Sequence, residues 1–84
     1  MIKMPEDFMK EIIETMSELL KDSTVPKNTK AKIESIINIL KEETDVSIKV
    51  NKALHMLEGI SEDTNLQSFT RTQIWNISSM LEKI

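Results

Sequence analysis

Apolar residues recur along this chain at intervals of three and four, the spacing of one face of an α-helix. Polar and turn-forming residues interrupt the pattern and divide it into amphipathic stretches. It predicts helices from about Pro5 to Lys21, from Pro26 to Lys41, from a cap at Thr44 or Asp45 to Ile60, and from Leu66 to Lys83. No stretch has the alternating pattern that is typical of a β-strand.

The pattern occurs twice, because the segment from Asp22 to Leu40 is echoed by the segment from Asp63 to Leu81, 41 positions later. Short connections place consecutive helices antiparallel. We therefore predict an all-α fold, a four-helix up-and-down bundle built from two duplicated helical hairpins, with residues 1–84 forming a single domain. The alternative is a pair of open hairpins that a second subunit covers.

Composition narrows the classes of protein further. A chain of 84 residues has a small core and a thin stability margin, which favours association with another chain. The net charge of −3 argues against a dedicated polyanion binder. Cysteine is absent, and no apolar run approaches the roughly 20 residues that a membrane span needs. We expect a cytoplasmic protein without a membrane partner.

Residues that could carry catalysis or bind a metal are sparse. His55 is the only histidine, and it has no convergent partners beyond Glu58, one turn away on the same helix. Glu11, Glu14 and Glu18 line one side of the first helix, where their spacing from nearby lysines suits surface ion pairs. We predict that the protein is not an enzyme and that it uses no cofactor or metal.

The densest basic cluster surrounds the first turn between helices. It comprises Lys27, Lys30 and Lys32, preceded by Lys21, and the repeat places Arg71 at the position equivalent to Lys30. Such side chains could contact phosphates. The resulting alternative function is a ribosome- or RNA-associated accessory factor that uses Lys27, Lys30, Lys32 and Arg71.

Several large apolar residues lie off the apolar stripes of their helices, and they suggest a protein interface. They are Ile39, Ile48, Met56, Phe69, Trp75 and Met80. The leading hypothesis is a non-enzymatic helical module that self-associates or docks on a protein partner through a surface including Trp75, Met80 and Ile39. Trp75 could instead cover the edge of the core. A small apolar ligand between the helices is a third hypothesis, although no particular residue indicates one.

Two segments resemble a small archaeal family known only as an uncharacterised protein family. Residues 70–82, TRTQIWNISSMLE, are similar to the closing segment of that family, and Thr24-Val25-Pro26-Lys27-Asn28 is similar to its first turn. The resemblance implies a cytosolic archaeal protein folded as a four-helix bundle. It brings no activity, ligand or catalytic residue. Gln67 stands where the family favours proline before the fourth helix.

Overall fold

The computed structural model describes residues 5–84, with side chains from Asp7 onward, and these residues form four α-helices and no strand. The helices are α1 Pro5–Lys21, α2 Lys27–Lys41, α3 Val46–Ser61 and α4 Ser68–Glu82. The sequence prediction of an all-α protein is confirmed. Helices α2 and α4 begin one and two residues later than predicted, since Pro26 and Gln67 have extended backbone with ψ of 150° and 151°.

Each helix packs against two neighbours. Helix α1 contacts α2 and α4, helix α3 contacts the same two helices, and the backbones of the diagonal pairs do not approach each other within the described residues. The contact between α1 and α4 closes the bundle, so the hairpins cover each other rather than remain open. The predicted up-and-down arrangement of four helices is therefore confirmed.

The core is formed by the inward stripes of all four helices. Isoleucine and leucine dominate it, as expected where well-defined rotamers fill the space between helices. Its buried side chains are Ile12, Met16, Leu19, Val25, Ile33, Ile36, Ile37, Leu40, Val50, Ala53, Leu57, Ile60, Leu66, Ile74, Ile77 and Leu81. The spacing of Val46 from Val50 and Ala53 puts it on the apolar stripe of α3, but it is 46% exposed, because it is the first residue of that helix and lies at the rim of a groove.

The sequence duplication extends to the hydrogen bonds of the turns. The amide of Thr24 donates to the carboxylate of Asp22 at 2.9 Å. The amide of Asn65 donates to the carboxylate of Asp63 at the same distance of 2.9 Å. Asp residues favour this local bond to an amide two positions on. The α1–α2 and α3–α4 turns are therefore two copies of one structure, and the antiparallel order puts both at the same end of the bundle.

Each duplicated turn also contributes a residue to the core. Val25 and Leu66 are only 4% and 6% exposed. Their amides donate to the carbonyls of Asp22 and Asp63 at 3.2 and 3.3 Å, which turns both side chains inward. The burial of these two turn residues links the polar connections to the hydrophobic core at that end of the bundle.

The connection between α2 and α3 is built differently. Asp45 is the N-cap of α3, and its carboxylate accepts the amide of Ser47 at 2.8 Å. This bond satisfies one of the amide groups that a helix leaves unpaired in its first turn. Of the two caps that the sequence suggested, Asp45 is thus the one used.

Candidate interaction surfaces

The six off-stripe apolar residues separate into two classes by exposure. Phe69, Trp75 and Ile48 are 61%, 57% and 51% exposed. Ile39, Met56 and Met80 are half-buried. Met56 and Met80 pack against the core, so they cover its edges and leave less surface for a partner.

The exposed aromatic residues of α4 lie on different sides of that helix. Phe69 and Trp75 are six residues apart, which separates them by about 120° at 100° per residue. Phe69 lines a groove between α1 and α4. Trp75 is seven residues before Glu82, within about 20° of it round the helix, and Glu82 lines a groove between α3 and α4. Trp75 therefore lies toward α3, and Phe69 lies toward α1.

The structure does not bring Trp75, Met80 and Ile39 into one patch. Trp75 and Met80 are five residues apart, which is about 140° round α4. Ile39 belongs to α2, the helix diagonal to α4, and the backbones of these two helices do not approach each other within the described residues. Ile48 is two residues from the buried Val50, so it points away from the core on α3.

The groove between α3 and α4 is mainly apolar. Its volume is about 320 Å³, and it opens beside the exposed Val46. It is lined by Val46, Ser47, Val50, Asn51, Leu54, Leu81, Glu82 and Ile84. We define the α3–α4 surface as this groove together with Trp75. It combines an exposed aromatic side chain with an apolar depression that lies about two helical turns further along α4.

The groove between α1 and α4 is acidic. It has a volume of about 440 Å³ and is lined by Glu11, Glu14, Thr15, Glu18, Leu19, Asp22, Phe69 and Gln73. Hydrogen bonds from the Thr24 hydroxyl and amide hold the pKa of Asp22 below its usual value, and the nearby Lys30 lowers it further. We call this the acidic groove. Three of its four carboxylates come from the α1 row that the sequence indicated, but their position beside Phe69 emerges only from the fold.

The residues predicted to contact phosphate are spread out. Lys27 and Lys32 are exposed but lie about 140° apart round α2. Lys30 is half-buried, and so is Arg71, which donates from Nη2 to the Asp63 carbonyl at 2.9 Å. The Nε of Arg71 is buried without a hydrogen-bond partner among the described residues. The guanidinium of Arg71 thus holds the α3–α4 turn rather than facing solvent with the lysines.

His55 has the surroundings of a surface histidine. Its side chain is 88% exposed, and its Nδ1 lies 3.8 Å from the Glu58 carboxylate. Within residues 7–84, no group of three or more His, Asp or Glu side chains is arranged to hold a metal ion. No helix among the described residues has the length and apolar character to cross a membrane.

Comparison with known proteins agrees with this architecture. The chain is 39% identical to the UPF0147 protein MJ1419 of Methanocaldococcus jannaschii, covering 98% of this chain and 89% of that protein. It is 37% identical to a UPF0147 protein of Archaeoglobus fulgidus, covering 100% and 97%. The crystal structure of the unknown-function protein MMP1188 superposes with a TM-score of 0.93 at 39% identity, covering 100% of this chain and 97% of that one. Residues 1–84 match the uncharacterised protein family UPF0147, and the chain belongs to that family.

Proposed function

We propose that this protein is a non-enzymatic helical module that binds a protein partner, or a second copy of itself, through the α3–α4 surface. The observation that carries the proposal is the exposure of Trp75, a residue that is 57% exposed on a helix whose inward face is already filled. Tryptophan is enriched among the residues that dominate binding energy in protein interfaces. The apolar groove, about two helical turns further along α4, gives a partner a second point of contact.

The core supplies further support, because it does not need Trp75. Ile74 and Ile77, on either side of it, are fully buried and provide the packing of α4 at this level. A large aromatic side chain left half in water carries an unfavourable hydration that a partner could relieve. Val46, 46% exposed at the rim of the groove, would be covered by the same partner.

The test is substitution of Trp75 by glutamate, with Asn76→Glu as the matched control. Both positions are exposed on α4, and both variants gain one negative charge, but only the first loses an apolar side chain. Each tagged variant is purified from cells that express the protein naturally, with and without ribonuclease and across a salt series. In parallel, sedimentation equilibrium measures self-association, and circular dichroism checks that helical content is unchanged.

We expect a protein partner, or a second copy, to remain bound to the wild type and to Asn76→Glu at high salt after ribonuclease, and to be lost from Trp75→Glu. Apolar contacts resist salt, whereas phosphate contacts weaken steeply with it. Equal association of both variants would refute the proposal. Ribosomal proteins that disappear with ribonuclease or moderate salt would instead favour the RNA-associated alternative.

A further inference from the structure

We propose that the acidic groove binds a basic amphipathic helix of a partner protein. This inference rests on the proposed function, since it names the chemistry of a segment that such a partner would contribute. It concerns the α1–α4 side of the bundle, whereas Trp75 lies on the α3 side of α4, about 120° round the helix from Phe69. It assigns a role to Phe69, the most exposed large apolar residue of the described chain.

The groove carries negative charge, and two of its four carboxylates have no cationic partner among the described residues. No lysine or arginine is among the described residues that line it. Glu14 and Glu18 are exposed and form no ion pair within the part of the chain that the structure describes, although their spacing from lysines would allow one. Asp22 is also negatively charged at neutral pH, although Lys30 lies near it. Charge complementarity therefore selects a cationic partner and disfavours a phosphate backbone.

The carboxylates are spaced like the side chains on one face of a helix. Glu11, Glu14 and Glu18 follow each other at three and four residues, so they span about 10.5 Å along α1. A partner helix lying along α1 would bring Lys or Arg at positions i and i+4 to Glu14 and Glu18. Docking of an amphipathic helix into a groove between two helices is a common mode of peptide recognition.

Phe69 supplies the apolar part of the contact. It follows the uncapped N-terminus of α4 and lies next to the buried Thr70, so its ring points off the core. A leucine or phenylalanine of the partner would pack on this ring while its basic residues face α1. The groove volume of about 440 Å³ admits a few side chains, which fits a helix resting on the groove rather than inserted in it.

The experiment uses two synthetic helical peptides of equal length and identical apolar residues. The basic peptide carries Lys at i and i+4, and the acidic peptide carries Glu at those positions. Binding to the full chain is followed by amide chemical shifts in a ¹⁵N NMR titration at low and high salt. We expect the basic peptide alone to bind, with the largest shifts in residues 11–22 and 69–73, and its affinity to fall with salt.

Matched variants separate a specific groove from general attraction to an acidic protein. Glu14→Gln with Glu18→Gln should weaken binding of the basic peptide by about fivefold, the size expected for two surface ion pairs. The control pair Glu34→Gln with Glu43→Gln removes the same charge at exposed positions away from the groove, and it should leave affinity nearly unchanged. Phe69→Ala should weaken binding of the basic peptide but leave the salt dependence of that binding as it is in the wild type.

Three results would overturn the inference: no binding of the basic peptide at low salt, equal weakening by the two glutamine pairs, or shifts centred on α3 and Trp75. The last of these would leave the proposed function standing and move the peptide to the other surface. Failure of the proposed function would be detected by a different experiment, in which Trp75→Glu and Asn76→Glu retain the same partners.

Discussion

The role of Arg71 can be separated from RNA binding by the substitution Arg71→Met, which removes the charge and keeps an unbranched stem. The variant loses the Nη2 bond to the Asp63 carbonyl, worth about 1.5–3 kcal/mol for a charged donor. It also removes the buried Nε that has no partner among the described residues, which recovers about 1–3 kcal/mol of desolvation. The Asp63 carbonyl keeps its bond from the Leu66 amide at 3.3 Å. We expect the two effects to offset within about 1 kcal/mol.

The assay is urea unfolding followed by circular dichroism, with Ile74→Ala as a benchmark for a core lesion of about 2–5 kcal/mol. A second readout is binding to a single-stranded RNA probe across salt, where loss of one phosphate contact would lower the salt slope by about 0.7. We expect Arg71→Met to leave that slope unchanged. A loss of stability as large as that of Ile74→Ala, or a lower salt slope, would refute this account of Arg71.

Further predictions concern stability. Gly59→Ala should raise the free energy of unfolding by about 0.5–1 kcal/mol, because Gly59 is an exposed helix-interior residue with open space around an added Cβ. The reverse change Ala31→Gly, also exposed and within a helix, should lower it by a similar amount in the same urea titration. The hydrogen bonds from Thr24 lower the pKa of Asp22 in the folded state. Their contribution to the free energy of unfolding is therefore complete above the unfolded-state pKa near 3.8, and it is lost as pH falls through the folded-state pKa. Unfolding curves from pH 7 to pH 2 should therefore show a weaker acid dependence for Asp22→Asn than for the wild type, and identical dependence would contradict the assignment.

Much of the architecture follows from residue spacing. Ile33 and Ile74 lie at equivalent positions of the repeat, and both are buried, because three- and four-residue spacing puts such residues on one helical face. The cap at Asp45 was predictable for a similar local reason, since its side chain bonds an amide only two residues away. Features determined within one helix or one turn were thus within reach of the sequence.

The candidate surfaces depend on which helices become neighbours, and spacing within one helix carries no such information. Phe69 and Trp75 are both off the stripe of α4, but only the order of helices round the bundle shows that one faces α1 and the other α3. The same holds for Glu14. Periodicity shows that its side chain points outward, but it does not show that Glu14 lines a groove beside Phe69. The half-burial of Arg71 was missed because it arises from the folded-back α3–α4 turn.

The most direct test of the central proposal uses the intrinsic fluorescence of Trp75. The chain contains one tryptophan and no tyrosine, so emission reports this side chain alone. We predict the emission of a water-exposed indole, readily quenched by iodide, for the dilute protein, and a blue shift with protection from iodide when the partner or a second copy binds. Emission and quenching that stay the same while a complex forms would contradict an interface centred on Trp75.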